Sequence, residues 1–193
     1  MELADVVRRF GDRLRQTRRL PRGAHQVLNA IARCRTPALG GQRYDCPRCE
    51  RTHYAYHSCR NRHCPKYQQM TKAQWLAARA AELLPVPYFH FVFTLPHELN
   101  APLLADKRRV LSLLFSAASR TLLEFGKRHL HGRVGFTMVL HTWDRKLNLH
   151  PHLHVMMPAG ALADDGQRWI AMDRKFAFPV RALSKVFRGK FMA

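Results

Sequence analysis

The chain has 193 residues, and its 33 Lys and Arg side chains against 13 Asp and Glu give a formal net charge of +20 at pH 7. Because 47% of the residues are hydrophobic and 10% are aromatic, the chain can bury a core, which excludes a basic disordered tail. A folded protein this basic needs a polyanionic partner: nucleic acid is the commonest one, and an anionic membrane surface is the weaker alternative.

The positive charge is distributed along the whole chain. Residues 1–79 hold 17 basic and 5 acidic side chains, and residues 80–193 hold 16 and 8, so both parts can contact phosphate. The N-terminus lacks the pattern of a secretory signal, and the longest uncharged stretch, residues 83–97, is too short to span a bilayer. We therefore expect a cytoplasmic, nucleoid-associated protein that does not bind membranes.

The N-terminal part of the chain predicts helices on either side of a segment without a core. Amphipathic periodicity predicts helices at residues 5–19 and about 24–34. Residues 42–66 are rich in Cys, His and Tyr and have no long apolar run, so they need a metal in place of a core. A third helix is predicted at residues 68–84, and Pro85 marks the expected domain boundary.

The second half predicts strands and helices together, which makes the fold class α+β. Aromatic and β-branched residues predict a buried strand at residues 88–96, and a long amphipathic helix follows at about 102–129. Residues 133–143 and 148–158 predict a β-hairpin closed by a polar turn at 144–146. The other predicted elements are a loop at 160–167, a short strand at 168–172 and a basic helix from residue 180.

Cysteine clustering predicts a structural zinc site. Two thiolates on a tight turn can reach one ion, and a second pair follows with the overall spacing C-x2-C-x9-C-x4-C. His63 or His57 can replace one thiolate, so the fourth ligand stays open. Cys34 lies outside this window, and we expect it to be structural. The four predicted ligands are Cys46, Cys49, Cys59 and Cys64.

Basic and aromatic residues alternate in the same segment. This composition is typical of a surface that contacts phosphates and stacks bases, although a solvated face explains it equally well. Arg145 and Lys146, in the predicted hairpin turn, are further candidates for phosphate contacts. The alternating residues are Arg43, Arg48, Arg51, Arg60, Arg62 and Lys66 with Tyr44, Tyr54, Tyr56 and Tyr67.

A run of histidines with a period of two predicts a second metal site. On a strand, alternate side chains share a face, so His152 and His154 can present two imidazoles to one ion while Leu153 and Val155 point into the core. His150 has the same parity but stands at the start of the strand before a proline, so we treat it as optional.

Two imidazoles do not complete a metal site, so a third ligand must come from an adjacent strand. His141, at the end of the preceding strand, is the first choice, and Asp144 is the second. An ion held with open positions can polarise a scissile phosphate and neutralise charge in the transition state.

These motifs resemble a known family. The His-Leu-His pair followed by apolar residues resembles the signature of HUH single-strand endonucleases, the class that includes rolling-circle initiators and relaxases. In this order, SCRNRHCPK, FVFTLPHEL and LHTWDRKLNLHPHLHVMMPAGAL resemble transposases of the insertion-sequence-91 family, over nearly the whole chain. The resemblance implies a helical zinc-binding, DNA-binding module at residues 1–85, followed at 86–193 by an HUH-like antiparallel sheet with flanking helices.

The resemblance also implies ligands and an activity. His152 and His154 correspond to the HUH ligands of Mg²⁺ or Mn²⁺, and the strand Phe91–Leu95 corresponds to one beside the HUH strand. The cysteines of the window correspond to those of the zinc-binding domain. Members of the family transpose by a rolling-circle route, in which a tyrosine attacks the DNA and holds the strand as a 5′-phosphotyrosine. The implied partner is single-stranded or hairpin DNA at the ends of a mobile element.

The chain departs from the family pattern at two points. The family run CPKC reads Cys64-Pro-Lys-Tyr67 here, so a tyrosine stands where a thiolate is expected. The family's nucleophilic tyrosines follow the HUH strand, but this chain has no tyrosine after Tyr88. We therefore expect a truncated chain that lacks its catalytic nucleophile, either a fragment or a decayed copy.

Two other functions stay open from the sequence. One is a non-enzymatic zinc-ribbon protein that binds DNA or RNA, in which the histidine strand is only structural. The other is a hydrolase of small phosphate or carbonyl substrates with an HxH metal site. Such hydrolases usually place a further carboxylate near the histidines, whereas two residues beyond His154 this chain has Met156.

Overall fold

The computed structural model describes residues 1–173, 175 and 177–193 and divides the chain into two compact units, Met1–Leu83 and Leu84–Ala193. Helices and antiparallel strands occur in both units, so the predicted α+β class is confirmed. Within the described part of the chain, no helix combines the length and apolar composition that crossing a membrane requires.

The N-terminal unit consists of three helices and one β-hairpin. Helices α1 and α2 pack against each other, and the hairpin strands β1 and β2 pair in antiparallel register from Gly41↔Tyr56 to Asp45↔Thr52. The hairpin was not predicted, because its strands are almost entirely exposed and lack alternating burial. The elements are α1 (Leu3–Thr17), α2 (Arg22–Arg33), β1 (Gly41–Asp45), β2 (Thr52–Tyr56) and α3 (Pro65–Ala81).

The core of this unit is very small. It holds five buried apolar or sulfur side chains, and two of the five are cysteines from the ends of α2 and α3. A core of this size supplies little hydrophobic stabilisation, which is the situation in which small domains use a metal. The five residues are Ala4, Val7, Ile31, Cys34 and Cys64.

The described residues of the C-terminal unit form two three-stranded antiparallel sheets and three α-helices. The first sheet has the order β3-β6-β5, so the strand that carries the histidine run is central, and the second has the order β4-β7-β8. The elements are β3 (Tyr88–Thr94), α4 (Asn100–Ala105), α5 (Lys107–Leu130), β4 (Gly132–Arg133), β5 (Thr137–Trp143), β6 (Leu149–Pro158), β7 (Gly160–Ala163), β8 (Trp169–Ala171) and α6 (Val180–Met192).

Four predicted elements differ in detail from the observed ones. The predicted long helix is divided at Asp106, whose carboxylate accepts the backbone N–H of Arg109 at 3.0 Å and caps the start of α5. The predicted strand 133–143 is interrupted, and its first residues pair with β7, which lies in the predicted loop 160–167. The strand β3 is not buried on both sides, because it is an edge strand with one covered face.

One face of the first sheet, with α5 and α6, forms the core of the C-terminal unit. Leu153, Val155 and Met157 on β6 are completely buried there, as predicted for the first two. From α5, Leu114 and Leu122 are also completely buried in the same cluster. The opposite face of β6 therefore carries the residues of the other parity, which include the histidines.

We predict that Leu153→Ala lowers the free energy of unfolding of the C-terminal unit by about 2–5 kcal/mol, because it leaves a cavity in the centre of the sheet. Urea denaturation measures the difference. The matched control is Met156→Ala on the same strand, whose side chain is 45% exposed; we expect a loss below about 1 kcal/mol there. Equal losses in both variants would contradict the assignment of the buried face.

Candidate metal centre

Three histidines meet on the outer face of the first sheet. The register places His152 of β6 directly opposite His141 of β5, and it places His154 two residues further along β6. Directly opposite residues of antiparallel strands share a face, so the three side chains lie on the same side of the sheet. One ligand atom from each of His141, His152 and His154 lies within 4.8 Å of the other two. We call these three residues the histidine group.

The hydrogen bonds of His152 and His154 engage the Nδ1 atom of each ring. The Nδ1 of His152 lies 2.8 Å from the carbonyl oxygen of His150 on its own strand, and only a protonated Nδ1 can donate to that oxygen. The Nδ1 of His154 lies 2.8 Å from the Nε2 of His90 on β3. In both residues the Nε2 is left to accept a metal, the arrangement usual for histidine ligands.

The electrostatics of the site favour a neutral imidazole at His154. Burial, followed by the neighbouring His141, His152 and His90, lowers the pKa of His154 below its usual value. A neutral ring offers a lone pair to a metal, whereas a protonated ring cannot. The lowered pKa therefore keeps His154 in the form that binds a cation.

His90 also belongs to this site, and it was not predicted from the sequence. It lies opposite Met156, two residues along β6 from His154, and its ring stacks on that of His154 with the centroids 5.0 Å apart. The alternation along β3 could have indicated it, because Phe89, Phe91 and Phe93 share one face of the strand and His90, Val92 and Thr94 share the other. The sequence alone did not show which strand lay next to the histidine strand, except through the family resemblance.

The other expected residues lie near the group without joining it. Asp144 accepts the backbone N–H groups of Lys146 and Asn148 at 2.8 and 2.9 Å, so it organises the hairpin turn. The amide of Asn148, the first of several donors, lowers the pKa of Asp144. The ring of His150 is tilted by 38° against that of His152, with the centroids 5.2 Å apart, and its buried Nδ1 has no hydrogen-bond partner among the described residues.

A second group of metal-binding atoms lies in the N-terminal unit. The sulfur atoms of Cys34, Cys59 and Cys64 lie within 4.8 Å of one another. We call these three residues the cysteine group. Cys34, which we expected to be only structural, follows the last residue of α2, and Cys64 precedes the first residue of α3.

The other two expected zinc ligands lie on the turn between β1 and β2. Cys46 and Cys49 are exposed, and within the described residues neither sulfur belongs to the cysteine group. The backbone N–H groups of Arg48 and Cys49 bind the sulfur of Cys46 and lower its pKa. His57 and His63, the alternative ligands, are both exposed. The four-cysteine ligand set stays a prediction.

The hairpin and the adjoining loop present the expected basic and aromatic surface. Tyr54 and Tyr56 stack on the same face of β2 with ring planes 6° apart and centroids 6.1 Å apart. Arg43 is paired with Asp45 at 3.0 Å, and Lys66 is paired with Glu2 at 2.7 Å. The other basic residues form no ion pair within the described part of the chain: Arg48, Arg51, Arg60 and Arg62.

Comparison with known proteins places the chain in a family. A family model described as "Transposase zinc-binding domain", of the insertion-sequence-91 type, matches residues 6–95, and one described as "Putative transposase" matches residues 135–193. The chain is 45% identical over 194 residues to "Putative transposase y4qJ" of Sinorhizobium fredii. The chain belongs to the insertion-sequence-91 family of transposases.

The relatives are longer than this chain. The alignment with the Sinorhizobium transposase covers 99% of this chain and 49% of that protein. A second relative, the "Transposase for insertion sequence element IS801" of Pseudomonas savastanoi pv. phaseolicola, is 35% identical over 143 residues, which are 73% of this chain and 34% of that protein. The chain thus spans about half or less of these transposases. No solved structure matches it.

We predict that His90→Ala weakens the binding of Mn²⁺ to the C-terminal unit by about 10–100-fold, because His154 loses the hydrogen bond that orients it. Isothermal titration measures the affinity. His90→Gln, which keeps a side-chain hydrogen-bonding group, should recover part of the affinity. Thr94→Ala, on the same face of β3, is the control and should bind as the unaltered chain does. An unchanged affinity in His90→Ala would show that His90 does not position the ligand.

Proposed function

We propose that this chain supplies the metal site and the DNA-holding surfaces of an HUH-type rolling-circle transposase that nicks single-stranded DNA at the ends of a mobile element. The observation that carries the proposal is the histidine group. Three imidazoles from adjacent strands converge on an accessible sheet face, and the Nδ1 atoms of His152 and His154 are engaged, so that their Nε2 atoms are free.

The donor set fits a divalent ion with open positions. His141, His152 and His154 supply three nitrogens, and no carboxylate belongs to the group within the described residues. Mg²⁺ or Mn²⁺ bound there would polarise the scissile phosphate and offset the charge of the transition state. Mn²⁺ accepts imidazole more readily than Mg²⁺ does, so it is the better experimental probe.

The residues around the group can hold a DNA strand against it. Arg145 and Lys146 are exposed in the β5–β6 turn, next to the strand end that carries His141. Trp143 is 54% exposed, and its ring is parallel to that of His141 with the centroids 6.1 Å apart. A cationic turn beside an exposed aromatic ring is suited to a phosphate and its base.

The nucleophile of the proposed reaction is not assigned to a residue of this chain. Cleavage in this family requires a tyrosine, and all five tyrosines here lie at or before residue 88. Tyr88 is engaged elsewhere, because its hydroxyl accepts the N–H of Leu84 at 2.8 Å. It also pairs with Pro158, at the opposite end of β3 from Thr94, which pairs with His152.

We predict that the chain binds one Mn²⁺ that is absent from the double variant His152→Ala with His154→Ala, and that this ion raises the affinity for a single-stranded oligonucleotide. Calorimetry measures the ion, and fluorescence anisotropy measures the DNA. Met156→Ala, on the same face of β6, is the control and should keep both properties. If the double variant binds Mn²⁺ as the unaltered chain does, the nuclease proposal fails.

A second candidate function rests on the N-terminal unit alone. The exposed arginines and stacked tyrosines of the hairpin suit a zinc-binding protein that holds nucleic acid without cutting it. The same titration separates the two functions, since this candidate requires no ion at the histidine group. In either case we propose DNA as the partner and the nucleoid as the place of action.

We predict that replacing Arg48 and Arg51 with Ala reduces the slope of log K against log[salt] for single-stranded DNA by about 0.7 for each phosphate that the variant no longer neutralises. Anisotropy titrations between low and high NaCl measure the slope. Arg43→Ala is the control, because Asp45 already neutralises that guanidinium, and it should change the slope less. An unaltered slope in the double variant would mean that the hairpin faces solvent when DNA is bound.

A further inference from the structure

We propose that Cys34, Cys59 and Cys64 bind one zinc ion and that this site is separate from the Cys46–Cys49 pair. Residue 67 lies at the position of the fourth ligand in the tetrahedral site. The three sulfur atoms already lie within 4.8 Å of one another. A tetrahedral ion about 2.3 Å from each sulfur separates the sulfurs by roughly 3.8 Å, so only a small contraction is needed.

The surroundings of the cysteine group suit a bound cation. Cys34 is 3% exposed and Cys64 is 2% exposed, and their sulfur atoms are 3.5 Å apart. The backbone N–H of Cys59 points at the sulfur of Cys34 at 3.4 Å, as it would at a thiolate. Three protonated thiols packed together offer few hydrogen-bond acceptors for their S–H groups. Three thiolates around one zinc ion, in contrast, have their negative charge offset by the cation.

Two turns of the chain share a spacing that locates the position of the fourth ligand. Cys49 lies three positions after Cys46, on the turn between β1 and β2. Tyr67 lies three positions after Cys64, in the first turn of α3. The spacing is the same, but the third position is a cysteine in the first turn and a tyrosine in the second.

Tyr67 therefore occupies the place from which a fourth thiolate would reach the ion. Its side chain is partly buried and packs against the cluster that contains Cys34 and Cys64. The same two cysteines line a cavity of about 480 Å³ together with Glu2 and Lys66. This space lets a non-protein ligand such as water complete the coordination, and it lets a chelator reach the ion.

The proposed ion would link the end of α2, the start of α3 and the loop that follows β2. Cys34 caps the end of α2, Cys64 precedes α3, and Cys59 lies in the loop that follows β2. A zinc ion at these three points would stabilise a unit whose core contains only Ala4, Val7 and Ile31 besides the two cysteines.

Cobalt substitution and zinc analysis of the full chain test the proposal. Thiolate-to-cobalt charge-transfer absorption reports only sulfur ligands, so an ion at the histidine group does not contribute. We expect Cys34→Ser to lose one equivalent of zinc and the corresponding absorption. In the double variant Cys46→Ser with Cys49→Ser, the zinc of the cysteine group should stay bound. Full zinc retention in Cys34→Ser would overturn the proposal, and so would a Cys34–Cys64 disulfide in the freshly purified chain.

A second variant keeps the test decisive if Cys34→Ser does not fold. Tyr67→Cys, made in the Cys46→Ser, Cys49→Ser background, should raise the number of sulfur ligands from three to four. It should also slow the release of zinc to a chelator by about tenfold or more, in line with the added ligand. Unchanged absorption and release in this variant would overturn the placement of residue 67. None of these outcomes depends on whether the chain takes part in DNA cleavage.

Discussion

The strand β6 imposes one constraint on the whole C-terminal unit: its side chains alternate between a face buried in the core and a face that carries the histidines. Leu153, Val155 and Met157 are completely buried against α5 and α6, while His152 and His154 lie on the other side. A shift of the register by one residue would bury the imidazoles and expose the core. Packing of the core therefore fixes the face of the sheet on which the histidines lie.

The two strands next to β6 supply the other histidines of the candidate site. On one side β5 brings His141 opposite His152, and on the other side β3 brings His90 to the Nδ1 of His154. The two edge strands thus supply a third candidate ligand and an orienting partner, respectively. The aromatic side chains of β3 face the core, so the same alternation that buries Phe93 presents His90 to the site.

The N-terminal unit is governed by a different physical limit, the shortage of apolar surface. Its hairpin is exposed, and two of its five core side chains are cysteines. Small units with so little apolar surface commonly use a metal for stability, which agrees with the match to a transposase zinc-binding domain. Freedom from core packing also leaves the hairpin surface available for charge and aromatic rings, which is where the arginines and tyrosines lie.

Much of this protein was predictable from its sequence, because the relevant signals are local. Alternation predicted that Leu153 and Val155 point inward and that the histidines share a face, and the polar residues 144–146 predicted the hairpin turn. Motifs of the chain predicted the transposase family, which the comparisons confirmed. The strand and helix patterns of the second half predicted the α+β class, and charge indicated a polyanionic partner.

Only the tertiary structure decided which distant residues meet. His90 is 64 positions from His154, and Cys34 is 30 positions from Cys64, so neither pairing leaves a periodic trace in the sequence. Spacing favours cysteines that are close along the chain, and it therefore grouped Cys46 and Cys49 with Cys59 and Cys64. The structure instead brings together sulfurs from a helix end, a loop and a helix start. Local patterns determine the faces of strands and helices, whereas the meeting of separate elements depends on strand order, register and packing.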